Sequence, residues 1–229
     1  MSATAARARR RGATGPTRAQ RGEETRAALL RSASRAICAL GMHGASIDRI
    51  AAEAGYTKGA FYAHFASKED LFLTMLDEHF ATELVRLDAV LAGTGDPAEE
   101  TRRAAEGFLE QIDADPEWRR LYQELATHAA RHDAFRAEFA ARQRALRERM
   151  ATVFARWASD LGVTPPVPPA EIAAMTFFMA DGFLLDQIID PELDAALYGR
   201  MFEVFMHGLI AMTEQGQPPI GPEQPIARG

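Results

Sequence analysis

Twenty-five residues, Ser46 to Asp70, read SIDRIAAEAGYTKGAFYAHFASKED, and they constrain this chain more tightly than any other stretch. Ser46, Thr57 and Ser67 each stand where a hydroxyl can cap a helix start. Ile47, Ile50, Ala51 and Ala54 recur at helical spacing after Ser46. Gly55 then offers the positive φ at which a helix stops. Thr57 caps a second helix, Lys58 to about His64, with Phe61 and Phe65 turned inward. Ser67 opens a third, and Asp70, with Glu69 beside it, completes a capping-box pattern at its positive end. The first two helices are too short to hold in water alone, so they must pack on something longer. An upstream stripe, Leu29, Ala33, Ile37 and Leu40, supplies it and ends near Gly41 and Gly44.

The second of these helices carries the functional signal. With both phenylalanines inward, Thr57, Lys58, Gly59, Ala60, Tyr62 and His64 are left outside or at the rim. Gly59 costs a helix about 1 kcal/mol relative to alanine, which makes sense where a large surface must approach the backbone. Tyr62, His64 and Lys68 are phosphate-type donors, and Lys68 stands at a helix start whose free N–H groups favour an anion. A plain three-helix packing unit with a solvated face leaves that combination unexplained.

The segment resembles the DNA-binding domain of the TetR/AcrR family of bacterial transcriptional regulators. The matching residues are Ile50-Ala51, Ala54-Gly55, Thr57-Lys58-Gly59, Phe61-Tyr62, His64-Phe65 and Ser67-Lys68-Glu69 with Leu71, within roughly 25–80. The resemblance implies an all-helical homodimer that binds a palindromic operator and is released by a small ligand. It places Thr57, Lys58, Gly59 and Ala60 at base edges, and Ser46, Tyr62, His64 and Lys68 at phosphates. Ala60 and Ala63 lack the polar groups of fuller versions of the motif. Base reading then rests on few side chains: Lys58 toward guanine and Ala60 toward a thymine methyl.

Charge distribution points the same way. The net charge of −6 argues against nucleic acid, but residues 1–70 carry +6 and residues 71–229 carry −12. A basic end on an acidic body suits a module that touches DNA at one end. Arg7, Arg9, Arg10, Arg11, Arg18 and Arg21 fall within the first 22 residues, with no acid among them. Residues 1–22 therefore read as a disordered basic arm, suited to phosphates or a minor groove, or else as a solubilising tail. No apolar run follows the arginines as a secretory signal requires. Cys38 is the sole cysteine. It excludes an internal disulfide, suits a reducing cytoplasm and reads as a structural thiol on the first helix.

From Leu71 onward the chain reads as helices, about nine in all. Asp96-Pro97, Asp115-Pro116 and Asp190-Pro191 share a start signature of capping aspartate and first-turn proline. Asp133 opens another helix, running to about Leu161. Ile172–Ile189 is apolar nearly all round, but Asp181 and Asp186 argue against a membrane span. The expected domains are the arm 1–22, a helix-turn-helix domain 23–68, a helical ligand-binding and dimerisation domain 69–214, and an irregular tail 215–229. Phe177, Phe183, Leu184, Met201, Phe205 and Leu209, on the last two long helices, are dimer candidates. One core has no need of both broad apolar faces, and the resemblance implies an intersubunit four-helix bundle there. Pocket candidates are Phe108, Gln111, Ile112, Trp118, Tyr122, Phe154, Trp157, Phe178, Asp181 and Gln187. Among these Asp181 stands out, since a carboxylate in an apolar helix requires a partner or a cationic ligand.

An enzyme needs a nucleophile–base set, paired carboxylates or a metal site, and none is evident. His128 and His132, read as i and i+4 on one helix, lack a third ligand, so no metal and no cofactor are expected. The reading is a cytoplasmic, ligand-responsive regulator, most simply a repressor. Its partners are double-stranded operator DNA, a small hydrophobic effector and a second copy of itself, with no membrane. The alternative is a helical small-molecule carrier or adaptor without DNA binding.

Overall fold

The computed structural model describes residues 17–92, 96–114 and 116–215. Arg7 to Arg11 of the arm, Asp115 and the tail from residue 216 lie outside the described residues, as do the side chains of Phe108, Gln111 and Ile112. The described residues form nine α-helices and no strand. They are α1 (Arg18–Gly44), α2 (Ile47–Glu53), α3 (Lys58–Tyr62), α4 (Lys68–Leu91), α5 (Pro97–Ala114), α6 (Pro116–Ala129), α7 (Asp133–Asp160), α8 (Pro169–Ile189) and α9 (Ala196–Glu214).

α1 starts earlier than the arginine pattern predicts. Thr17 Oγ1 accepts from Gln20 N, and Gln20 Oε1 accepts from Thr17 N at 2.7 Å. This reciprocal cap brings Arg18 and Arg21 into the helix, although the sequence reading counted them in the arm. Farther on, Gly41 adopts φ 69° and bends the chain, and Glu124 Oε2 of α6 takes the freed Met42 N–H at 3.0 Å. α2 ends as its glycine dictates: Gly55 has φ 80°, Tyr56 N donates to Ala51 O and Gly55 N to Ala52 O. Buried Ser32 donates to Ile50 O at 2.9 Å and ties α2 to α1.

Two helix starts differ from the sequence expectation. Asp190-Pro191 opens no helix. Asp190 ends α8, its carboxylate accepts from Glu192 N within a turn, and α9 begins at Ala196 behind Asp194, whose Oδ1 accepts from Ala196 N. Asp133 is the first helical residue of α7 rather than its cap, which is His132.

Buried side chains gather in two clusters. One runs from Leu29, Ile50, Phe61 and Leu71 through Leu121 and Leu125 to Phe139 and Leu146, joining α1–α4 to α6 and α7. The other unites Leu91, Phe154, Trp157, Ile172, Phe183, Tyr198 and Phe202 from α4, α5 and α7–α9. Met150 packs against both. α8 lies mainly on α7, and α9 mainly on α5. α8 is long and apolar enough to cross a bilayer by length and composition. Its inner face, Ile172, Ala173, Thr176 and Phe183, is buried in the fold, and its outer face is exposed.

Candidate nucleic-acid interface and ligand cavity

Phe61 is fully buried and Phe65 nearly so, and these rings fix which side of α3 faces out. Thr57, Lys58, Gly59 and Tyr62 are exposed, and Ala60 is half-buried. Ser46, Thr57 and Ser67 cap α2, α3 and α4, their hydroxyl oxygens accepting from Arg49 N, Ala60 N and Asp70 N. Each hydroxyl proton remains available to a phosphate. Asp70 reaches one residue beyond the predicted box, accepting from Ala66 N at 2.8 Å.

Two of the expected DNA-contacting lysines already have protein partners. Lys58 Nζ lies 3.0 Å from Asp48 Oδ2, and that hydrogen bond raises its pKa above the ordinary lysine value. Lys68 Nζ donates to Met42 O at 2.7 Å, tying α4 to the bend of α1. An ammonium has three donors, so both keep protons for other acceptors. His64 is half-buried with its ring against Phe65, and Gly22 of α1 lies beside it. The eight predicted residues thus share one end of the molecule.

A second feature lies between the two buried clusters. A cavity of ≈ 620 Å³ is lined from α4 by His79, Phe80, Glu83, Leu84 and Arg86, and from α6 by Trp118 and Tyr122. Met150, Phe177, Asp181, Leu184, Tyr198 and Phe202 of α7, α8 and α9 also line it, with Ala104, Gly107 and Glu110 of α5. Of the predicted pocket residues, Trp118, Tyr122 and Asp181 meet here. Phe154 and Trp157 are instead buried in the second cluster, where the indole N–H of Trp157 donates to buried Glu100. Gln187 accepts from Arg119 at 2.6 Å, and Phe178 is 60% exposed. Sequence reasoning named no α4 residue for the pocket, although His79 and Glu83, polar and one turn apart on an apolar helix, pointed to it.

Burial shifts three of the cavity's titratable groups. Burial, aided by Arg86, pulls His79 down to about 4, so its imidazole is neutral at pH 7 where it stacks on Trp118 with centroids 3.7 Å apart. Burial raises the Asp181 carboxyl, and a hydrogen bond from the Tyr122 hydroxyl partly opposes this. Burial likewise raises Glu83 against the pull of Arg86, 3.0 Å away.

His128 and His132 do not share a helix face. His128 lies in the last turn of α6 and His132 caps α7, with their rings stacked at 3.8 Å. Stacked faces cannot converge on one ion, and no group of three metal-ligating side chains occurs among the described residues.

The outer faces of α8 and α9 carry two apolar stripes at helical spacing. Met175, Phe178, Leu185, Ile188 and Ile189 are exposed on α8, and Leu197, Met201 and Val204 on α9. Of the predicted dimer residues only Met201 belongs to these stripes. Phe177 and Leu184 line the cavity, Phe183 is buried, and Phe205 and Leu209 are half-buried against the second cluster.

Residues 29–75 match the family of bacterial regulatory proteins described as the tetR family. Residues 97–211, half of the chain, match the C-terminal region of BetI-type transcriptional repressors. The transcriptional activator FasR of Mycolicibacterium smegmatis is 35% identical over 99 residues, 43% of this chain and 45% of FasR. The chain thus spans less than half the length of that relative. The transcriptional repressor SCO4008 of Streptomyces coelicolor is 28% identical over 77% of this chain and 85% of its own. FadR of Bacillus subtilis, solved in complex with stearoyl-CoA, superimposes with a TM-score of 0.65 at 15% identity, over 79% of this chain and 96% of FadR. At that identity the likeness establishes the shared fold.

Proposed function

The chain belongs to the tetR family of bacterial regulatory proteins, and from that premise we propose that it is a cytoplasmic repressor that binds a palindromic operator as a homodimer and is released by a small molecule. The carrying observation is the outward face of α3. Lys58, Gly59 and Tyr62 stand exposed on a helix anchored by a fully buried Phe61. Thr57, Lys58, Gly59 and Ala60 face the bases; Ser46, Tyr62, His64 and Lys68 hold phosphates. The segment before Thr17 adds phosphate contacts through its arginines. Residues up to 68 form the DNA-binding unit, and 69–214 carry effector binding and dimerisation.

The stripes on α8 and α9 supply the dimer contact, with exposed Gly182 and Gly208 within them, where nothing obstructs a close approach. A two-fold axis through this face carries two α3 helices toward successive major grooves, about 34 Å apart or a multiple of it. The effector occupies the cavity between α4, α6 and α8. Because α4 also runs into the DNA-binding unit, a ligand that favours one placement of α4 shifts the population of groove-matched dimers.

Fluorescence anisotropy with duplexes tiling the DNA that flanks its own gene tests this reading. One palindromic segment is expected to bind far more tightly than a scrambled duplex of equal length. Indifference among all segments and the scrambled control overturns it.

A further inference from the structure

We propose that the cavity selects a lipophilic cation, a hydrophobic body carrying one positive centre, with Asp181 as its counter-charge. The proposal rests on the reading of this cavity as the effector site. Asp181 enters the cavity wall from the middle of α8, between Phe177 and Leu184. Asp181 is half-buried, and a carboxylate partly withdrawn from water gains from a partner. Burial and the Tyr122 hydroxyl are the influences acting on it, and no basic side chain of the described residues is among them. Gln143 Nε2 donates to the Tyr122 oxygen at 2.6 Å. With that oxygen already accepting, the single phenolic proton can serve Asp181, which leaves most of the carboxylate's lone pairs unused.

The other charged groups in the wall do not compete for that place. Arg86 is paired with Glu83 on its own helix, and His79 is neutral at pH 7. Glu110 adds a further carboxylate to the lining. Arg147 sits 5.2 Å from the Phe177 centroid and acts on the Tyr122 hydroxyl, but it lies outside the wall and forms no salt bridge with Asp181 among the described residues. Phe80, Trp118 and Tyr122 present rings whose π faces attract a cation. Carboxylates outnumber cations in an apolar cavity, so an anionic lipophile of the same shape meets an opposing field.

Tetraphenylphosphonium and tetraphenylborate share four phenyl groups on a central atom and differ in the sign of the charge. Calorimetric titration of the full chain with each, in sodium buffer, is the test. The phosphonium is expected to bind at least about tenfold more tightly than the borate. Asp181→Asn, which keeps the side-chain shape, is expected to lower phosphonium affinity by about tenfold or more. Cation affinity is also expected to fall in acid as Asp181 takes up a proton. Equal or tighter binding of the borate, no binding of the phosphonium, or unchanged affinity in Asp181→Asn overturns the proposal. The comparison on the unaltered chain decides even where the variant folds poorly. Phosphonium binding by a protein indifferent to DNA leaves this proposal standing and sinks the regulatory reading; operator binding without phosphonium selectivity does the reverse.

Discussion

Lys58 comes to guanine with one of its three donors already given to Asp48. Both side chains are more than half exposed, so water competes for the pair and the exchange costs little. Asp48 nonetheless adds a negative charge on the face meant for DNA. Asp48→Asn is therefore expected to raise affinity for all duplexes a few-fold. Lys58→Ala is expected to flatten the preference at one base pair while leaving the others intact. Anisotropy titrations against operators substituted position by position distinguish the two, and an unchanged base preference in Lys58→Ala removes the lysine from base reading. Gly55 and Gly41, two of the three positive-φ glycines among the described residues, invite a similar comparison. A Cβ at Gly55 meets nothing within 4 Å, so Gly55→Ala carries only the left-handed backbone cost of about 1–2 kcal/mol. At Gly41 the Cβ falls 3.0 Å from Glu124 Oε2, the oxygen that caps Met42 N. Gly41→Ala is expected to lower the melting temperature further than Gly55→Ala does, beyond about 2–8 °C. Equal losses in calorimetric melts would show that Glu124 withdraws freely.

At the level of elements, the stack of His79 on Trp118 couples α4 to α6 across the cavity. Its folded pKa of about 4 lies below its ordinary value of 6.5. Between those values the unfolded chain takes up a proton that the folded one refuses. The stabilisation is complete above pH 6.5 and is lost as pH falls toward 4, by at most about 3 kcal/mol. Asp181 and Glu83, whose pKa values are raised, act with the opposite sign in acid. His79→Phe keeps a stacking ring without the titration. Its urea midpoint is expected to fall less than that of the unaltered chain between pH 7 and pH 4.5; parallel losses would exclude His79 as the source. Local caps and apolar spacing made α1 to α4 legible in the sequence, because Ser46, Gly55, Thr57 and Ser67 act on neighbours three or four residues away. Asp190-Pro191 misled because the same dipeptide also suits a turn, and α9 starts instead behind Asp194, whose carboxylate accepts from Ala196 N. The spacing of His128 and His132 looked helical, yet the chain turns between them.

For the molecule as a whole, the boundary between the two buried clusters does not follow the boundary between the DNA-binding and effector regions. The first cluster runs unbroken from Phe61 to Leu146, and the cavity lies where the two clusters meet. An occupant there touches Phe80 and Leu84 of the first cluster and Tyr198 and Phe202 of the second. On the proposed mechanism, a differential affinity for two placements of α4 would be felt at α3 through this continuous packing. This seam was not legible in the sequence, since apolar periodicity marks a buried face without naming its partner. The same limit placed Phe177 and Leu184 at the dimer face when they line the cavity, whereas Val204 is 74% exposed. Val204 lies in the exposed stripe of α9 one turn from Met201, so a two-fold contact there buries it in both copies. Val204→Asp would place two unpaired carboxylates in that contact and is expected to weaken dimerisation by well over tenfold. Sedimentation velocity should show a folded monomer, and affinity for the palindromic operator should fall toward that of a single half-site. Val85, 68% exposed on α4 and outside both stripes, supplies the control: Val85→Asp should remain dimeric. A dimer in both variants would move the interface off α9.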